Sequence, residues 1–376
     1  MNNVDIMQAS EERLEQVTIF REPGKFAGWP ANYGMWAWGD ELVVGFTVST
    51  FNANSGFHAR DRSQPTRTTF ARSLDGGKTW TYAPFPGRLP DGRALSADEH
   101  MVKGLKLEEV MDGPEGPTEL TEAIDFTHPD FAFMAARTGL EPGVQSFFYY
   151  SYDRAKSFRG PFKWPQFVWA GVAARTDYVV VNRHHLIVFL TANKFDGEEG
   201  RVFCAETLDG GLTWKFLSWI GDELWGLDHG IMPASLLLKN GDILVVVRAG
   251  HGHDYTMETY KSKDLGRSWG PMKVAAAFKD NDKNHLGNPG TLNQLADGRV
   301  ALTYGNRDAP YTIDAKISSD DGETWGPTIV LRTGGGSHDL GYPRTVAAAD
   351  GTLVTAYYFN EDAKTERFIG ATRWRP

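Results

Sequence analysis

One eight-residue frame recurs along this chain and limits what the chain can fold into. Residues 73–80 read SLDGGKTW and 207–214 read TLDGGLTW. Residues 262–269 (SKDLGRSW) and 318–325 (SSDDGETW) keep the same pattern, and 151–158 (SYDRAKSF) is a worn copy with Ala for Gly and Phe for Trp. Each position has a physical task. The aspartate and the hydroxyl residues bond nearby backbone amides in a tight turn. Glycine supplies positive φ, and the tryptophan packs its ring against the next strand. The aspartates stand at 75, 153, 209, 264 and 320, with spacings of 78, 56, 55 and 56 residues. A near-constant period of this size predicts propeller blades of four strands each.

Between the frames the same order of elements returns. Strands are expected at 16–20, 33–38, 42–48 and 68–72, then at 178–181, 186–190 and 202–206. The pattern continues with 233–238, 243–247 and 256–260, then 291–295, 300–304 and 312–317. The last unit, at 345–348, 353–358 and 367–374, has three strands and no frame after it. The unpaired N-terminal strand can supply its fourth, which closes the ring and removes both open edges. The expectation is therefore all-β: one six-bladed propeller domain over 1–376, closed by its N- and C-terminal strands. The long first spacing places an insertion of about 22 residues in blade 2, within the Pro-, Gly- and acid-rich stretch 83–122. That stretch is read as a solvated loop, or as a lid, since long loops in compact domains often serve function.

Composition removes several classes. The net charge is −9 and no long basic run occurs, which argues against nucleic acid as a partner. A local arginine cluster can still oppose that charge toward an acidic ligand. Cys204 is the single cysteine and makes no internal disulfide. The sequence contains no 18-residue apolar run and no evident signal segment, so no membrane partner and, by default, a cytoplasmic location are expected. His58, His128, His251, His253, His285 and His338 include a His-x-His pair, but no third ligand has a recognisable spacing. No metal and no cofactor are expected, and oligomeric state is left open.

Antiparallel order assigns faces. The frames and the Asp-Gly turns share one face, and the ends of each second strand share the other. Counted back 13 to 16 residues from each frame aspartate, those ends hold Arg60 and Asp61, Arg137, Asn193, Arg248 and Arg307. Arg21 ends the N-terminal strand on the same face. Arginine forks suit bidentate grip on a carboxylate or sulfate.

The frame resembles the Asp-box, or BNR repeat, of the sialidase-like β-propellers, where the boxes are structural. The resemblance extends to the opposite face. Phe20-Arg21-Glu22-Pro23 looks like the family's Phe-Arg-Ile-Pro segment, and residues 240–248, ending in Arg248, look like the segment of its second arginine. Gly305-Asn306-Arg307 lies where the third is expected, and Gly341-Tyr342-Pro343 looks like the segment of the tyrosine nucleophile. Asp61 matches the general acid/base in position. The resemblance thus implies Tyr342 and Asp61 as catalytic residues and Arg21, Arg248 and Arg307 as a carboxylate grip. Arg60, Arg137 and Arg344 are added as substrate-binding residues. One departure stands out. The family's glutamate partner of the tyrosine is absent from His229-Gly230-Ile231-Met232-Pro233. His229 is the candidate in its place, as base or as a hydrogen-bonding group. Three functions remain open: an exo-acting glycoside hydrolase on an anionic carbohydrate, a polysaccharide lyase on a uronate glycan, and a carbohydrate-binding propeller without catalysis.

Overall fold

In the computed structural model, the described residues are 14–56, 58–90, 95, 116–137, 139, 144–165, 167, 171–197, 199–226, 228–252, 254–278 and 288–376. They form six antiparallel sheets arranged as blades. Blade 4 shows the plan, with strands His229–Leu237, Ile243–His251, Asp254–Ser262 and Lys273–Phe278 in order from the axis outward. Blade 5 repeats it with Gly290–Gln294, Val300–Asn306, Thr312–Ser318 and Ile329–Arg332. The inner strands of blades 1 and 3 are each split in two, as Lys25–Gly28 with Met35–Trp38 and as Val172–Ala173 with Tyr178–Val180. In blade 1 the break is local chemistry. Trp29 adopts φ 59° and Pro30 follows, and proline has no N–H to give a ladder. Blade 2 has three described strands, Ala132–Arg137, Ser146–Ser151 and Arg159–Lys163. Of the expected insertion only 83–90, 95 and 116–122 lie among the described residues, so the lid reading falls outside them.

The ring closes as the unframed last unit requires. Leu14–Phe20 pairs with Phe368–Trp374, Gln16 opposite Thr372 and Val17 opposite Ala371. It completes the blade of Gly341–Ala347 and Leu353–Phe359. Neighbouring blades bury both faces of the second strands between them. In Leu186–Asn193, Leu186, Val188 and Leu190 pack toward blade 2, while Ile187 and Phe189 pack toward blade 4. That two-sided burial is why the second strands read as continuous apolar runs rather than as alternating patterns.

The frames form one turn five times. The Ser73 hydroxyl donates to Asp75 Oδ1 at 2.8 Å and accepts from the Gly77 N–H at 2.8 Å. Asp75 in turn accepts from the Thr79 N–H at 2.9 Å and its hydroxyl at 2.6 Å. Gly77 has φ 87°, and a Cβ there would stand 2.9 Å from Val354 Cγ1 of the neighbouring blade. The worn copy keeps the network, with Ala155 holding the glycine's place at φ 58°.

Candidate active site

The face opposite the frames gathers its chemistry where inner strands begin. Three bulky residues there stand directly before a proline at positive φ: Trp29 (59°), Met232 (53°) and Tyr342 (50°). Positive φ is unfavourable for such side chains, and a residue before proline is normally driven to extended backbone. Strain of this kind persists where the surroundings over-determine it. At Met232 and Tyr342 the strand register slips, and each of the three side chains meets an arginine. The Trp29 ring lies 5.4 Å from the Arg60 guanidinium, and Met232 Sδ is 3.8 Å from Arg248 Nη1. The Tyr342 hydroxyl accepts from that same Arg248 nitrogen at 3.3 Å.

Tyr342 is the centre of the constellation. Its N–H donates to Asn288 Oδ1 at 2.9 Å. Gly341, at φ 104°, makes room, because a Cβ there would sit 2.4 Å from that oxygen. The Arg307 guanidinium stands 5.5 Å from the Tyr342 ring centre and donates through Nη2 to the Tyr358 hydroxyl at 3.0 Å. Tyr358 donates to Asp339 Oδ1 at 3.1 Å. Asp339 also takes His58 Nδ1 at 2.7 Å and Arg367 Nε at 2.9 Å, so a buried carboxylate anchors the row from behind. Burial pushes the Tyr342 hydroxyl toward a higher pKa, but the charges of Arg248, Arg307 and Arg175 outweigh it and hold the group below the ordinary phenol value. For Asp339, burial is likewise outweighed, by His58 and Arg367, and the carboxyl is held well below the usual range.

Arg248 is buried in Ile243–His251. Its Nε has no hydrogen-bond partner, and no carboxylate contacts its guanidinium among the described residues.

The other expected residues are placed as follows. Arg344 reaches across the axis to Asp177 Oδ2 at 3.3 Å, to the Ala31 carbonyl at 2.9 Å and to the Thr176 carbonyl, tying blades 6, 3 and 1 together. Arg137 is buried and donates to the Ala174 carbonyl at 3.3 Å. Arg21 is not brought to Tyr342 by any contact. It lies 41% exposed, paired with Glu361 at 2.9 Å and over the Phe368 ring. Arg60 and Asp61 are not at a second-strand end, because that strand, Glu41–Thr50, stops ten residues earlier and a longer turn carries them on the same face. Asp61 accepts from the Ser63 hydroxyl at 2.6 Å and its N–H at 2.9 Å, and these bonds hold its carboxyl below the ordinary value. His229 packs over Gly250, its ring 6.2 Å from that of Tyr255, and the side chain beside Tyr342 and Arg248 is Met232. His253 and His285 lie outside the described residues. Among those described, no group of three or more His, Cys, Asp or Glu is placed to hold a metal, and no helix is long and apolar enough to cross a membrane.

Arg175, Asn288 and Asp339 carry no motif in the sequence, and Tyr358 is legible there only as part of the segment that follows Tyr342. Arg175 had a signal, since it sits in the inner-strand region of blade 3, and inner-strand starts share the face of second-strand ends. Asn288 and Asp339 become visible only when separate blades meet.

Residues 131–355 match the profile of the BNR repeat-like domain. The chain belongs to that family. No curated protein matches it in sequence. Among solved structures, this BNR-repeat chain is similar to a protein of unknown function from Dyadobacter fermentans DSM 18053, at 21% identity and TM-score 0.70, over 96% of this chain and 99% of that one. It is similar to Trypanosoma rangeli sialidase in complex with the inhibitor DANA, at 12% identity and TM-score 0.61, over 96% of this chain but only 59% of the sialidase. It is also similar to Penicillium chrysogenum α-L-arabinanase complexed with arabinobiose, at 14% identity and TM-score 0.58, over 95% and 97% of the two chains. At these identities the likeness is one of fold.

Proposed function

We propose that this BNR-repeat propeller is an exo-acting glycoside hydrolase whose substrate carries a carboxylate on the sugar bound beside Tyr342. The observation that carries the reading is Arg248, a buried guanidinium with an unfilled Nε–H and no carboxylate in contact. A buried cation is costly until an anion meets it. A substrate carboxylate lodged between Arg248 and Arg307 supplies that anion with fork geometry. It also fixes the anomeric carbon near the Tyr342 oxygen. In sialidases a glutamate takes the tyrosine's proton; here the charges of Arg248, Arg307 and Arg175 favour loss of the Tyr342 proton to water before the substrate carboxylate arrives. Asp61 is the acid for the leaving group in this scheme. Its bonds to Ser63 keep it ionised in the free protein, so the scheme requires bound substrate to desolvate it. Similarity in fold to a sialidase bound to sialic acid and to an arabinanase bound to arabinobiose supports a carbohydrate ligand.

A lyase acting on a uronate glycan is the second reading. Two observations favour it: no carboxylate contacts Tyr342 among the described residues, and Asp61 is held by its own turn. Arginine neutralises the uronate, Tyr342 as phenolate removes the α-proton, and the glycosidic C–O bond at the β-carbon breaks as the double bond forms, the leaving oxygen taking that proton back from Tyr342. A panel of sialosides, oligouronates and glycosides of uronic acids decides among the readings. New reducing ends without ultraviolet absorbance indicate hydrolysis, and an absorbing unsaturated product indicates elimination. If neither appears, but Arg248-dependent binding does, the propeller is a lectin.

A further inference from the structure

Exposed large apolar side chains fall into a pattern on this molecule. Leu74, Leu208 and Leu212 belong to the frame turns, Met272 follows the frame 262–269, and Tyr82, Phe216 and Val274 belong to outer strands. Among the described residues, only Phe195 and Trp225 carry such exposure on loops of the face that holds Tyr342. They are 83% and 63% exposed. They come from separate loops, one following Leu186–Asn193 and one preceding His229–Leu237. Yet their rings lie parallel, with centroids 5.8 Å apart and 14° between planes.

The two loops are built to hold that pair. Lys194 is buried, and its ammonium group donates to Asp196 Oδ2 at 2.9 Å and to the Gly226 carbonyl, bridging one loop to the other. Asn193 closes the first loop through the Gly197 carbonyl at 2.6 Å. The second is pinned by the Gly252 N–H on Asp228 Oδ1 at 2.8 Å. Ordering two loops so that two aromatic rings face water is unfavourable unless something covers them.

Position argues for the occupant. The Lys194 stem and His229 pack over the same Gly200. His229 begins the strand that presents Met232 to Arg248. Trp225 and Met232 are seven positions apart in the chain, which allows at most roughly 25 Å between them. The aromatic pair therefore shares the face of the arginine–tyrosine site at a separation that an oligosaccharide several residues long can span. Sugar rings present C–H faces that stack on aromatic planes while their hydroxyls stay in water. We infer that Phe195 and Trp225 form a second subsite, which stacks a neutral sugar ring of an oligosaccharide whose acidic end lies at Arg248. The inference rests on the reading of this face as a glycan site. It makes an oligosaccharide, rather than a lone acidic sugar, the preferred ligand.

The test is binding on an array of sialyl-oligosaccharides, oligogalacturonates and neutral arabino- and gluco-oligosaccharides, with the free acidic monosaccharides alongside. The double variant Phe195→Ala/Trp225→Ala should bind the favoured oligosaccharide about tenfold more weakly or worse and the monosaccharide unchanged. Arg248→Ala should weaken both acidic ligands. If the double variant equals the parent on every oligosaccharide while Arg248→Ala loses binding, the subsite is wrong and the acidic-sugar reading survives. If Arg248→Ala changes nothing but the double variant still loses oligosaccharides, the subsite stands and the acidic-sugar reading fails. An array on which no oligosaccharide binds the parent overturns the inference. So does sedimentation showing that the parent self-associates and the double variant does not, since the pair is then a contact between copies.

Discussion

Tyr342 combines two roles that one substitution separates. Its ring packs on Tyr358 and Arg307, and its hydroxyl meets Arg248. Tyr342→Phe keeps the ring and removes the oxygen. Under the chemical role, turnover of the true substrate should fall by about a hundredfold or more. Turnover within a few-fold of the parent would make the residue a stacking platform only. The charge argument has its own check. The three arginines lower the Tyr342 pKa against burial, so removing one must raise it. Ultraviolet titration of tyrosinate, taken as parent minus Tyr342→Phe, should show one group ionising below the ordinary phenol range. In an Arg248→Ala background that group should titrate higher, and an unchanged midpoint would sink the proposed activation.

The frame is an element whose parts cannot be exchanged freely. Gly77 holds φ 87° with Val354 of the neighbouring blade where its Cβ would be. Gly77→Ala adds backbone strain and a clash across a blade interface. It should lower the unfolding free energy by about 1–3 kcal/mol, measured by urea titration with the slope unchanged. A loss under about 0.5 kcal/mol, as for ordinary surface changes, would mean the turn relaxes without cost. The inner-strand starts are the functional counterpart of the frames. There the same slip before proline, at Met232 and Tyr342, turns a side chain onto Arg248. This device was written in Ile231-Met232-Pro233 and Gly341-Tyr342-Pro343, but its outcome depends on which arginine waits opposite.

At the scale of the whole ring, the frame aspartates act together. Hydrogen bonds hold all five carboxyls below their ordinary values. At Asp264 and Asp320 they bring the pKa to about 2, chiefly through the hydroxyls of Ser268 and Thr324. A depressed folded-state pKa contributes stability above the unfolded value, about 4, and loses it as pH falls through the folded value. Thermal unfolding should therefore worsen steeply between about pH 4 and pH 2, and Asp264→Asn should flatten that slope. An unchanged slope in the variant would refute the assignment. Closure is the second property of the ring. Deleting residues 1–20 removes the strand paired to Phe368–Trp374 and takes Ile19 and Phe20 from the cluster between blades 6 and 1. The truncated chain should aggregate or melt well below the parent, and a soluble monomer with parental melting temperature would show the closure to be dispensable.

The sequence alone determined the architecture. Each frame is a local turn whose bonds run between residues two to four apart, so spacing and residue type suffice to read it, and the unframed last unit requires the N-terminal strand. It also determined that Tyr342, Arg248 and Arg307 lie on the face opposite the frames, because antiparallel order alternates the ends. Only the tertiary structure decided which of the face's residues meet. Arg248 and Tyr342 are 94 positions apart and touch across the axis. Arg21, whose local motif reads as well as theirs, is drawn instead to Glu361. Met232 rather than His229 meets Arg248 because the strand slips before Pro233. Contacts between blades depend on register and on which neighbour fills the space, and neither is written in the period of the repeat.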